Sequence, residues 1–154
     1  FKNPKDLVKT IETVVEEKTA LQKQLEKLEA KALTGIRKEL LQQIETLNGM
    51  QLIGQMVEVG QPDSLRKLCF DLKNDLQGTY VVCLTANVGG KPHVALLLSD
   101  DLPATKQLEA PAIMKSHIAS LIKGGGGGQK TFASAGGTDV SKLGEVIGVV
   151  KGLL

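Results

Sequence analysis

Lys123-Gly124-Gly125-Gly126-Gly127-Gly128-Gln129-Lys130-Thr131-Phe132-Ala133-Ser134-Ala135-Gly136-Gly137 carries seven of the chain's 17 glycines. Glycine alone reaches positive φ without strain and leaves no Cβ in the way, at the cost of extra entropy in the unfolded chain. Such a stretch implies that something approaches the backbone closely. A flexible linker would separate independent units. Here, however, an apolar helical pattern (Met114, Ile118, Leu121, Ile122) runs directly into the glycines, and another follows them.

Two phosphate-binding motifs fail on this run. A P-loop needs G-x-x-x-x-G-K-[ST] after a buried strand, but Gly124 to Thr131 reads G-G-G-G-G-Q-K-T, with Gln129 where the second glycine belongs. The preceding segment has helical spacing, and Ala135-Gly136-Gly137 interrupts any helix begun at Lys130. No G-x-G-x-x-G fits either, so a dinucleotide fingerprint is absent. Between Lys106 and Lys130 lie four lysines, one acid, Glu109, and His117. Positive charge therefore gathers around the glycines, as a phosphate-facing patch or as a solvated face.

The remaining composition excludes several classes. The formal charge of +2 leaves no polybasic tail. Cys69 and Cys83, with His93 and His117, give neither a disulfide framework nor zinc-ligand spacing, so reduced, intracellular thiols are expected and no metal site. No apolar stretch spans a bilayer and no signal peptide is recognisable. The absence of Met at position 1 leads to the expectation of a piece of a longer protein.

Upstream, Leu7, Ile11, Val14, Lys18, Leu21, Leu25, Leu28 and Ala32 recur at spacings of four and three, the seam of a coiled coil. Asn3 before Pro4 supplies an N-cap. Thr34-Gly35 is expected to interrupt this helix. Ile36, Leu40, Leu41, Ile44 and Leu47 would form a second helix, ending at Asn48-Gly49. The stripe must pack on another helix, in an intrachain hairpin or against a second chain.

Beyond Gly49 the pattern predicts a strand from Met50 to Val59 and a helix from Pro62 with Leu65, Leu68, Cys69, Leu72 and Leu76 on one face. A hairpin of Tyr80 to Thr85 and Val94 to Leu98 follows, then a helix from Pro111 to Lys123 and a last helix from about Asp139. In that last helix Gly144, Gly148 and Gly152 form a stripe, and each costs about 1 kcal/mol relative to alanine. Another backbone is therefore expected close by. The fold class is α+β: a helical arm over residues 1–48, then a small globular α/β subdomain over 49–154 with a glycine-rich loop.

The seam helix, Leu47-Asn48-Gly49-Met50 opening a strand, Asp71-Leu72-Lys73-Asn74 in a helix, and the glycine run followed by Ala133-Ser134-Ala135-Gly136-Gly137-Thr138-Asp139 together resemble the C-terminal, DHH-associated C-Ala domain of bacterial alanyl-tRNA synthetases. The resemblance covers nearly the whole chain. It implies a cytoplasmic homodimer formed through the helical arm. It also implies a globular part that binds the tRNA elbow and supports aminoacylation and editing by catalytic domains absent from this chain. ATP and zinc are implied only for those absent domains; no cofactor and no catalytic residue are expected here.

The expected nucleic-acid-binding residues are Lys123, Gly124, Gly125, Gly126, Gly127, Gly128, Gln129 and Lys130. A bulky side chain at Gly126 is expected to block the approach of RNA and to strain the backbone. The globular part is also similar to the accessory domain of DHH phosphoesterases, which carry a histidine just after the glycines; Gln129 stands there, and no Asp-His-His occurs. A purely structural dimerisation module is the third reading. Three Phe and one Tyr offer little for a base-stacking platform.

Overall fold

The computed structural model describes residues 4–154; the expected Asn3 cap lies outside the described residues. The chain divides into two compact units, one ending at Thr34 and the other running from Gly35 to Leu154.

The described residues of the first unit are all helical. Helix α1 (Pro4–Gln42) is one uninterrupted element of 39 residues. The expected break at Thr34-Gly35 does not occur. Gly35 has open space around it, and the Thr34 hydroxyl donates to the Ala30 carbonyl one turn back. A single interior glycine costs only about 1 kcal/mol, which a helix of this length absorbs. The helix therefore does not double back on itself, and of the two arrangements left open by the sequence the intrachain hairpin is absent. The apolar stripe instead lies bare: Leu21 is 65 % and Leu28 64 % exposed.

The second expected helix also ends early. After Gln42 the chain forms β1 (Glu45–Leu47), turns at Asn48-Gly49 and returns as β2 (Met50–Met56). Asn48 and Gly49 have φ of 52° and 79°. This is the pair of left-handed residues that a tight two-residue hairpin requires. Ile44 and Leu47 thus belong to a hairpin, and β2 stops short of the expected Val59.

Six strands form one sheet in the order β1-β2-β3-β4-β6-β5. Helix α2 (Pro62–Asp75) links β2 to its parallel neighbour β3 (Tyr80–Val88), and every other pairing is antiparallel. β4 (Lys91–Leu98) follows β3 through Gly89-Gly90, again at positive φ. The short helix α3 (Leu102–Thr105) precedes a segment made of α4 (Ala110–Ile113), a π-helical stretch Met114–Ile118 and α5 (Ala119–Ile122). Strands β5 (Gly125–Gln129) and β6 (Phe132–Gly136) and helix α6 (Leu143–Leu153) complete the chain. The glycines form an edge strand rather than leaving the sheet as a loop.

Both faces of the sheet are covered, which explains why β3 is apolar at consecutive positions rather than alternating. On one face Val81, Cys83, Val94, Leu96, Ala133 and Ala135 join Ile113, Met114, Ile118, Ile122, Val146 and Val150 in one core cluster. On the other, α2 packs on β3 and β4, burying Leu65, Leu68, Cys69 and Leu72 over Val82, Leu84, Ala95 and Leu97. Each such aliphatic side chain contributes roughly 1.5–3 kcal/mol by leaving water. Arg37, in the last turns of α1, bonds the Asp75 carboxylate at the end of α2.

In α6 the apolar face is as expected, with Val146 and Val150 buried, but the glycine stripe is not. Gly144, Gly148 and Gly152 have no atom within 4 Å of where a Cβ would stand. The close approach occurs on the opposite partner: a Cβ on Gly54 of β2 would lie 2.7 Å from the Ile147 side chain.

Candidate nucleic-acid interface

β5 is held by its antiparallel register with β6: Gly125↔Gly136, Gly126↔Ala135, Gly127↔Ser134, Gly128↔Ala133 and Gln129↔Phe132. Its ends are fixed as well. The Gly124 amide donates to the Ala119 carbonyl at 3.0 Å, and the Lys130 carbonyl accepts from the Ala110 amide at 2.9 Å.

The glycines divide by parity. A Cβ on Gly124, Gly126 or Gly128 would stand 2.0, 2.0 and 2.1 Å from the carbonyl oxygens of Gly136, Ser134 and Phe132. At Gly125 and Gly127 nothing lies within 4 Å. The close approach that demands glycine at the even positions is made by the protein's own neighbouring strand. A bulky residue at Gly126 would collide with β6 whether or not RNA is present, so its first effect is on the strand pair. The open positions are Gly125 and Gly127, on the exposed side of an exposed strand.

Because side chains alternate across a strand, the register also shows what the open glycines sit beside. Gly125 is opposite Gly136, itself opposite His93, while Gly127 is opposite Ser134, itself opposite Ala95. This is the face on which α2 lies. A pocket of about 340 Å³ opens where the first turn of α2 meets β4, β6 and β5, with Asp63, Arg66, His93, Ser134 and Gly125 among its walls. Arg66 caps an aromatic pair: its guanidinium carbon is 5.6 Å from the Phe70 ring centre and 6.0 Å from that of Phe132. The two rings are 5.1 Å apart. Burial, and then the nearby Lys91, push the His93 imidazole below its ordinary pKa, so it is held neutral near pH 7.

Lys123 and Lys130 flank β5 at opposite ends, separated by roughly 20 Å at about 3.3 Å per residue. Lys123 caps α5 in a left-handed conformation, φ 51°. Its Nζ lies 3.7 Å from Asp139, and that of Lys130 lies 3.9 Å from Glu109. Both lysine side chains are more than 70 % exposed, and exposed pairs of this kind are worth only about 0–1 kcal/mol. Either lysine can exchange its carboxylate for a phosphate. Gln129 is exposed at the end of β5. The eight expected residues thus form one continuous edge, five of them glycines of which only two present open space.

Arg66, His93, Ser134 and the Phe70–Phe132 pair were not singled out by sequence reasoning. The Arg66/Phe70 spacing of four on the outer face of a helix was the available signal; the rest depends on strand register. Cys69 and Cys83 are both buried and free, and burial pushes the Cys83 thiol up to about 12 and that of Cys69 higher still. Both are unreactive core residues. Among the described residues no His, Cys, Asp and Glu group could hold a metal ion, and no helix is long and apolar enough to cross a membrane.

Comparison with known proteins places this geometry in a family. Residues 49–154 match the DHHA1 domain. The chain is 38 % identical over 154 residues to the alanine–tRNA ligase of Cytophaga hutchinsonii, covering 100 % of this chain and 17 % of that protein. It is 34 % identical over 149 residues to the enzyme of Geobacillus kaustophilus, covering 97 % of this chain and 16 % of that one. The chain therefore spans about a sixth of the length of the curated relatives it matches. Its fold is similar to the crystal structure of the C-Ala domain from Aquifex aeolicus alanyl-tRNA synthetase, with a TM-score of 0.63 at 24 % identity over 72 % of this chain and 96 % of that one. The chain belongs to the DHHA1 domain family, and its whole length is homologous to a segment of the alanine–tRNA ligases.

Proposed function

We propose that this chain is the tRNA-binding and dimerisation C-terminal domain of a cytoplasmic alanyl-tRNA synthetase. In this reading residues 49–154 contact the tRNA elbow, residues 1–48 form the dimerisation arm, and the ATP- and zinc-dependent catalytic domains lie elsewhere in the protein. One observation carries the RNA-binding role. The open glycines Gly125 and Gly127 present bare backbone along an exposed edge, with exposed lysines at both ends. Phosphate and sugar oxygens are recognised by such amides and cations, which set position rather than sequence. The arm reading rests on the bare stripe of α1, whose Leu7, Ile11, Val14, Leu21, Leu25 and Leu28 are all more than 40 % exposed. A helix with such a stripe gains stability by covering it.

A mobility-shift titration of the chain with folded tRNA, paired with light scattering, tests both halves. Binding that weakens with salt, by a chain of twice the monomer mass, is the expected result, because displacing counterions from phosphates makes affinity salt-dependent. A chain that binds no tRNA is a structural module, and one that hydrolyses short oligonucleotides is not the non-catalytic domain proposed; either result overturns the proposal.

A further inference from the structure

The pocket beside β5 is more than an irregularity of the surface. Leu65 and Ala95 supply apolar lining on the α2 face, and Asp63, Arg66, His93 and Ser134 supply polar lining around them. At about 340 Å³ it falls within the range of pockets that hold small organic groups. The polar lining offers a carboxylate acceptor, a guanidinium, an imidazole and a hydroxyl, so donors and acceptors are both present, and Asp63 offsets Arg66 in charge. A bare anion is therefore a poor match. A group carrying a flat ring, hydroxyls and one phosphate uses every element of this lining.

Arg66 adds geometry to the chemistry. Its guanidinium is held over Phe70 and Phe132, which fixes the plane of a side chain that would otherwise be mobile, and leaves its other face available for stacking on a base. Ser134 and Gly125 connect the pocket to the open edge of β5, where the backbone of the same RNA strand would run.

We infer that the pocket between the first turn of α2 and strands β4, β6 and β5 receives a single unstacked nucleotide of the bound RNA. Arg66 covers the base, Asp63 and His93 meet its polar edge or ribose, and Ser134 and the Gly125 backbone lie along its sugar and phosphate. Unstacked bases of loops and corners are the parts of folded RNA that proteins read by stacking and edge contacts. The inference rests on the RNA-binding reading above and adds to it a site on α2 and β4, outside the glycine edge.

The test uses the chain with its arm, two substitutions in the polar lining, Arg66→Ala and His93→Ala, and two probes: folded tRNA, and adenosine monophosphate followed by amide NMR. Arg66 is exposed but covers the Phe70–Phe132 pair, so melting of Arg66→Ala is measured beside its binding. Arg66→Ala is expected to weaken tRNA binding about tenfold, the scale of one lost base-stacking contact. His93→Ala should weaken it less, and adenosine monophosphate should move the Gly125 and Ser134 amides in the unmutated chain but not in Arg66→Ala. If the unmutated chain binds tRNA while Arg66→Ala binds it equally well and the amides stay still, the pocket is no nucleotide site, although the RNA-binding reading stands. If the unmutated chain binds no tRNA, both readings fall together.

Discussion

At Gly126 and Gly127, neighbours in sequence, the structure assigns opposite consequences to the same substitution. A Cβ on Gly126 would meet the Ser134 carbonyl oxygen at 2.0 Å, a backbone atom that moves only if the strand pair opens. Gly126→Ala should therefore destabilise the fold by at least the roughly 1–3 kcal/mol typical of overpacking. Gly127→Ala meets open space, and by restricting the unfolded chain it should leave stability level or raise it by up to about 1 kcal/mol. Thermal melting of the two variants checks the parity; equal melts would show that β5 does not hold this register. The half-buried His93 contributes a pH dependence with a defined sign. Its imidazole takes up a proton less readily in the fold than in the unfolded chain. Stability should accordingly fall as pH drops through the ordinary histidine value of 6.5, and His93→Gln should flatten that slope in melts between neutral and mildly acidic pH.

Among the elements, α1 gives the clearest tests. Because the helix runs through Gly35 in open space, Gly35→Ala should raise helix stability by about 1 kcal/mol, read as a higher melting temperature with unchanged or greater helical dichroism. A break at that residue would give no such gain. Leu21→Asp with Leu25→Asp should convert a dimer to a monomer in light scattering, since both side chains lie on the bare stripe; an unchanged mass would remove α1 from the interface. The same elements show what could be read in advance. Helix α2, the β3–β4 hairpin and the seam of α1 follow from periodicity and glycine turns, which are local. Asn48-Gly49 was legible as a turn, but its partner strand Glu45–Leu47 was not, because Ile44 and Leu47 also fit the helical spacing inherited from α1. The glycine run was unreadable as a strand for a physical reason. Without side chains it has no period, and only pairing with Phe132–Gly136, invisible in local pattern, makes it one. The pocket was hidden for the same reason: Arg66, His93 and Ser134 are far apart in sequence and meet only through the sheet register.

For the molecule as a whole, the central claim is that RNA lies along the open side of β5. Lys123→Ala or Lys130→Ala should each weaken tRNA binding uniformly across tRNA species and lower the salt slope by about one unit. The decisive variant is Gly127→Val, which places a branched side chain on the open face at a position where a Cβ meets no atom within 4 Å. The measurement is its tRNA affinity beside that of the unmutated chain at one salt concentration, once melting has shown the fold intact. The account predicts at least a tenfold loss, which is about 1.4 kcal/mol. An intact Gly127→Val chain that binds tRNA as tightly as the unmutated protein would contradict it and move the interface away from the glycine strand.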